Sequence, residues 1–338
     1  MKEIRELVGA SSPHIRAAAD TRSMMRDVLL ALVPALLYAV FHFGARALLL
    51  TVVSAAGCVF WEWLYCRLLH QPHSIGDLSA VVTGVLLAFL CPHRTPVWML
   101  LLGDFFAIVV VKELFGGLGR NFMNPALAGR AFLLGSYAGV MTSWVDPQKT
   151  HAPLLGGSAD LVTTATPLAY MKSGDWDALL QEYDLMDLFL GRIPGSLGEI
   201  SALCLLLGGF YLLWRKVIDW QIPVSYIGTV AALTFLFPRF GAESLLWMLY
   251  SVLGGGVILT AFFMATDPVT SPVTARGRFL YGIGCGIITV LIRSFGSFSE
   301  GACYSILLMN LLVPLIDRWV KPRRFGAGRR PAGKEAAK

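Results

Sequence analysis

Few side chains in the 338-residue chain are equipped for chemistry, and several of them crowd into one short polar stretch. Asp160 to Leu168 reads DLVTTATPL, with the hydroxyls of Thr163 and Thr166 flanking Thr164 and Ala165, and Pro167 following at once. As local structure, threonine and proline mark a turn or a strand edge, and Asp160 can open an Asx turn. As chemistry, the stretch offers hydroxyl oxygens in the longest polar interruption of an otherwise oily chain. Both readings stay open on composition alone.

Asp104 stands near the middle of the apolar run LLLGDFFAIVV. An isolated carboxylate there is costly unless it faces a cavity or finds a partner, so an ion or proton path stands beside a hydrogen-bonded structural aspartate. Lys112 and Glu113 close the same run, where snorkelling accounts for them, and Glu62 between Trp61 and Trp63 reads as interfacial. Two glycine- or proline-rich loops follow, GGLGRNFMNPAL from Gly116 and MATDPVTSPVTARGR from Met264. Each is a turn or a close-packed ligand loop. Asp267 can cap a helix, and Arg276 and Arg278 can pair with phosphate or mark a cytoplasmic loop. The histidines form no ligand-spaced pair, and the six cysteines sit in or beside apolar runs without a CxxC, as packing residues do. No metal ligands and no catalytic set emerge.

The elements that must position these residues follow from composition. The chain is 56% hydrophobic and 15% charged, too apolar for a soluble domain with an ordinary surface. The net charge of +6 collects at the ends and in short loops, which argues against nucleic-acid binding. The chain reads as an all-α polytopic membrane protein. Ten apolar stretches approach the length of about 20 residues that crosses the hydrocarbon, at 27–43, 46–66, 75–92, 97–115, 124–143, 197–214, 219–237, 243–264, 278–294 and 299–319. Residues 1–26 form a basic leader without a cleavable signal pattern, residues 144–196 a long loop, and residues 320–338 a basic tail.

Positive residues stay on the cytoplasmic side. With both termini inside, twenty lysines and arginines fall inside and seven outside, with Arg130 left within the fifth span. The loop 144–196 then faces outward. An internal echo joins NPALAGRAFLLG from Asn124 to SPVTARGRFLYG from Ser271. Both copies open a span from the same side, so they are either paired half-helix starts or loops of shared chemistry.

Taken in order and spacing, GGLGRNFMNPALAGRAF, DLVTTATPL, TDPVTSPVTARGRFLYG and LIRSFG resemble the D subunits of the Rnf ion-translocating electron transport complex. The B subunits of the sodium-pumping NADH:quinone reductase share the plan. The resemblance runs from about Ser11 to Phe325. It implies a ten-helix subunit of the bacterial inner membrane that relays electrons through covalent FMN while its complex moves Na+ or H+. The FMN would be a phosphoester of Thr166, the last threonine of an [ST]-x-A-[ST] motif that here comprises Thr163, Ala165 and Thr166, with Asp160 three positions before it. Thr164, where the B subunits usually have glycine, and the short N-terminal region favour the Rnf assignment. The implied partners are the Rnf subunits A, B, C, E and G, a flavin transferase for maturation, and the lipid bilayer. A second, non-covalent flavin, riboflavin, would find contacts at Asn124 and Asp267. With no nicotinamide or ferredoxin site visible, the chain is not expected to be an enzyme in isolation. The rivals are the quinone-reductase B subunit and a secondary transporter without a redox group, the latter motivated by the echo and Asp104.

Overall fold

The computed structural model describes residues 20–71, 75–144 and 164–321, and every element among them is helical. Two long apolar helices open the fold, α1 (Thr21–Phe43) and α2 (Ala45–Leu68). They turn at Gly44, whose φ of +78° suits a residue without a Cβ. Then come α3 (Ser79–Phe89), α4 (Val97–Phe105, continuing in π form over Phe106–Glu113), α5 (Pro125–Ser136) and the short α6 (Ala138–Met141). The segment expected as an outer loop carries three small helices, α7 (Pro167–Ser173), α8 (Trp176–Glu182) and α9 (Leu185–Leu190). The second half runs through α10 (Ala202–Trp214), α11 (Gln221–Leu236), α12 (Ser244–Leu253), α13 (Val257–Leu259, continuing in π form over Thr260–Met264), α14 (Ala275–Phe295) and α15 (Ala302–Trp319).

All ten apolar stretches contain helix, but they are not ten alike. Among the described residues, α1, α2, α14 and α15 are each long and apolar enough to cross a membrane. A fifth crossing forms if α12 and the α13 run, bent by 61°, count as one. The third stretch is helical only to Phe89, and residues 91–95 are buried without being helical apart from a half-buried Arg94. Helix α1 begins at Thr21, inside the expected leader.

Packing repeats between the halves. Helix α2 lies against α3 and α4, as α11 lies against α12 and α14; α4 meets α5 as α14 meets α15. Across the middle, α1 packs on α10 and α5 on α15. Each half contributes an odd number of stretches, so the halves enter from opposite sides if all ten cross. In this scheme α5 matches α15 and α14 matches α4. The echo between the starts of α5 and α14 is therefore no structural repeat; it reflects a shared capping task, performed by Asn124 and by Thr274.

Close approach of α1 and α10 depends on Gly208, where a Cβ would run into the carbonyl oxygen of Ala31. Gly228 in α11 has open space around it. Gly208→Val should lower unfolding stability in detergent by about 3 kcal/mol, the upper end of ordinary overpacking, because the obstacle is backbone. Gly228→Ala should leave the unfolding midpoint unchanged or slightly raised, and equal effects of the two would refute this packing.

Candidate functional site

Thr166 sits at the start of the three small helices, α7 to α9. Its extended backbone makes it the N-cap of α7, with Oγ accepting from Ala169 N at 3.3 Å and Pro167 in the first helical position. Only 6% of the residue is exposed. Ala165 just before it accepts at its carbonyl from the Tyr183 hydroxyl (3.4 Å), and Thr164 N donates to Trp144 O (3.0 Å). Asp160 and Thr163 lie outside the described residues. Leu168 and Met171, on the inner side of α7, pack with Leu179, Leu188, Trp247 and Tyr250, so α7 to α9 form a small apolar cap on α12.

Beneath this cap lies a buried ion cluster. Arg130, in the middle of α5, bonds Glu199 at 3.1 Å and also Glu300. Glu199 belongs to the non-helical segment before α10, and Glu300 to the turn before α15. Thr166, Glu199, Gly255 and Glu300 border one narrow cleft. Adjoining it is a cavity of about 360 Å3 lined by Arg130, Trp144, Ala169, Lys172, Phe298 and Glu300. Lys172 reaches across to donate to Gly296 O at 2.7 Å, and burial holds its ammonium pKa below the ordinary value.

A second cavity, of about 440 Å3, opens at the other end of the bundle, among the N-termini of α1, α3 and α5 and the loop after the α13 run. Asn124 caps α5, accepting from Ala126 N (3.0 Å) and Leu127 N (3.3 Å), while its Nδ2 donates to Met264 O (3.3 Å). Asp267, pushed up in pKa by burial, accepts from Thr270 Oγ (3.0 Å) and Val269 N (3.4 Å). Asn121 Oδ1 is buried with no hydrogen-bond partner. Both glycine- and proline-rich loops thus line one space with amide, carboxyl and hydroxyl groups, against walls that include Met24, Phe262 and Phe263.

Asp104 reaches neither cavity lining. It is buried against α2 beside Ser54 and Cys58. Lys112 does not snorkel: it is 2% exposed and donates to Glu62 and to Ser79 Oγ, each at 2.7 Å. Glu62 is correspondingly buried instead of interfacial. Arg276 is not among the residues bordering either cavity, and Arg278 pairs with Asp219 and donates to Pro272 O (3.0 Å). Among the described residues no cluster of histidine, cysteine and carboxylate could hold a metal. Sequence reading missed the Arg130 cluster. Its one signal was an arginine stranded inside a span, because such a charge needs a partner.

These features define an all-helical, multi-pass membrane protein with buried ion pairs and a polar pocket toward each end. The sequence model of the NQR2, RnfD, RnfE family matches residues 8–326, and the chain belongs to that family. It is 48% identical over 320 residues to the D subunit of the Na(+)-translocating ferredoxin:NAD(+) oxidoreductase complex of Acetobacterium woodii, covering 95% of both chains. Identity is 40% over 328 residues with the D subunit of the proton-translocating ferredoxin:NAD(+) oxidoreductase complex of Clostridium ljungdahlii, covering 95% of this chain and 96% of that one. It is 36% over 344 residues with the D subunit of the ion-translocating oxidoreductase complex of Halorhodospira halophila, at 94% and 95% coverage.

The Arg130 cluster supplies a direct test of the site. Arg130→Met leaves Glu199 and Glu300 buried without their cation and should cost about 3–5 kcal/mol of stability. Adding Glu199→Gln should recover a large part of that loss. A double variant no more stable than the single one would show that the pair is not coupled.

Proposed function

We propose that this chain is the membrane-embedded D subunit of an Rnf-type ferredoxin:NAD+ oxidoreductase, carrying electrons through FMN esterified to Thr166 while the complex moves Na+ or H+. The observation that carries the assignment to a complex is near full-length similarity to relatives named as the D subunits of ion-translocating oxidoreductases. The flavin reading rests on the motif around Thr166 and on the fit of its surroundings. Thr166 Oγ accepts one hydrogen bond, and its own hydrogen meets no acceptor among the described residues, so an ester at that oxygen displaces no hydrogen bond that the hydroxyl donates among them. Beside it lies a cavity with aromatic walls, lined by Arg130, Lys172 and Glu300, the last of which pairs with Arg130.

Bound there, FMN supplies one- and two-electron transfer. The chain's own residues do the rest. Thr166 fixes the position, the α7 cap excludes water from one side, and Arg130 and Lys172 set the local charge. Thr166 is only 6% exposed as a residue, so a transferase would have to act before α7 to α9 pack over it. The loop then faces the outer side of the bacterial inner membrane with both termini in the cytoplasm, a reading that the distribution of lysine and arginine supports. The inner cavity suits a second, non-covalent flavin, riboflavin. Its unpartnered Asn121 Oδ1, together with Asn124 and Asp267, offers polar contacts to a flat ring held between apolar walls. Asp104 is the candidate for an ion path. Working partners are the Rnf subunits A, B, C, E and G, and a flavin transferase matures the protein.

Protein produced with a competent flavin transferase should give a fluorescent band on a denaturing gel, and intact mass with peptide mapping should locate one FMN on Thr166. Thr166→Ala should abolish the band and Thr163→Ala should keep it; a band surviving Thr166→Ala moves the attachment elsewhere. A native mass with no flavin adduct favours a transporter without a redox group, and quinone-dependent turnover of the purified complex favours the quinone-reductase B subunit. For the inner cavity, Asn121→Leu should release the flavin that comes off on acid extraction while leaving the covalent band intact. Retention of that flavin at native stoichiometry removes the cavity as its site.

A further inference from the structure

Asp104 lies in α4 just before the helix widens into its π segment, a departure from α geometry that often accompanies function. It is 0% exposed. Its surroundings are sparse and can be counted. From α2, Ser54 Oγ stands 2.6 Å and Cys58 Sγ 3.3 Å from Asp104 Oδ1. Oδ2 has no hydrogen-bond partner; it faces Gly57, where an added Cβ would lie 2.7 Å from it and equally close to Leu101. No arginine or lysine pairs with Asp104 among the described residues, and the ammonium of Lys112, further along the same element, is directed to Glu62, Glu113 and Ser79.

The hydrogens decide its charge. Ser54 Oγ is 2.6 Å from Asp104 Oδ1 and at the same time 2.8 Å from the carbonyl oxygen of Gly84 in α3. A serine hydroxyl owns one hydrogen, and a backbone carbonyl owns none. Both short contacts are hydrogen bonds only if the carboxyl brings a hydrogen of its own, donating from Oδ1 to Ser54, which then donates to Gly84. The alternative leaves two oxygens in contact with nothing between them. It also leaves a charged Oδ2 against carbon, in a site with no countercharge, which costs far more than an unmet neutral carbonyl. Ca2+ or Mg2+ is no better accommodated. Ca2+ and Mg2+ gather about six or more oxygens, whereas this site offers the carboxyl, one hydroxyl and one carbonyl, with the soft sulfur of Cys58 on the remaining side.

We infer that Asp104 is a proton-binding site inside the membrane, a neutral carboxylic acid linked through Ser54 to the carbonyl of Gly84. The relay ends at a carbonyl that cannot pass a proton on. Proton exchange at Asp104 therefore requires α2, α3 and α4 to shift against one another, which makes the site gated instead of open. The charge state holds whatever the chain's partners are; only the use of this proton in ion movement rests on the proposed function.

Infrared spectra of the purified complex in an ester-free detergent test the inference. The native-minus-Asp104→Asn difference should show loss of a carboxylic-acid C=O stretching band that shifts in D2O and is the same without Na+ and at saturating Na+. Ser54→Ala removes the acceptor, so the band should persist and move to higher frequency. A difference spectrum with carboxylate bands alone overturns the inference, and a band that disappears on adding Na+ makes Asp104 a cation ligand. Should Asp104→Asn fail to assemble, the Ser54→Ala shift carries the test, and an unmoved band counts against Asp104. Loss of the covalent flavin with this band intact would overturn the flavin reading alone.

Discussion

Backbone carbonyls that leave a helix within an apolar layer must be hydrogen-bonded by something other than water, and the rest of this structure depends on how that is met. Two interruptions pose the problem. After α3, His93 O and Thr95 O accept from the Arg46 side chain at 2.7 and 3.2 Å, while Phe89 O and Cys91 O accept from Gly198 N (2.9 Å) and Leu197 N (3.1 Å). At the end of α12, Arg293 donates to Ser251 O (2.6 Å), Gly254 O (3.3 Å) and Gly255 O (3.1 Å). Two arginines thus act as substitute solvent for broken backbone. The break after α3 also binds the non-helical segment before α10, tying the two halves of the chain together there.

Around these breaks the buried charges are arranged in pairs. Arg130 joins α5 to the segments before α10 and α15, and the Glu62–Lys112–Ser79 set joins α2, α4 and α3. Such pairs contribute little net stability against well-packed apolar residues, but losing one partner is costly. They act here as fasteners that specify which helices meet. Asp104 is outside this scheme because no basic side chain among the described residues answers it, which is why its hydrogens and not a countercharge settle its state.

The two pockets sit where the helix ends leave room. One is bounded by the α7 cap and the Arg130 cluster, the other by helix N-termini and the two glycine- or proline-rich loops. Family membership and this geometry are consistent with each other without either being read from the other.

Composition and the lengths of the apolar stretches were enough to fix the membrane class, all ten helical regions and the polar stretch that holds Thr166, because apolarity is a local property of the chain. They could not tell a continuous span from a broken one: residues 90–92 and 254–256 sit inside the apolar stretches 75–92 and 243–264, and whether their carbonyls bond within a helix or to distant groups, as Cys91 O does to Leu197 N and Gly254 O and Gly255 O do to Arg293, is decided by residues elsewhere. The same limit hid the partners of Arg130, 69 and 170 residues away, and the link from Asn124 to Met264, 140 residues away. Glu62 and Lys112 looked interfacial because each is placed near the end of an apolar run; packing of α2 on α4 buried them as a pair. What the chain determines by itself is which segments leave water; which of them meet, and so which polar atoms are paired and which are left to act, is settled only by tertiary contact.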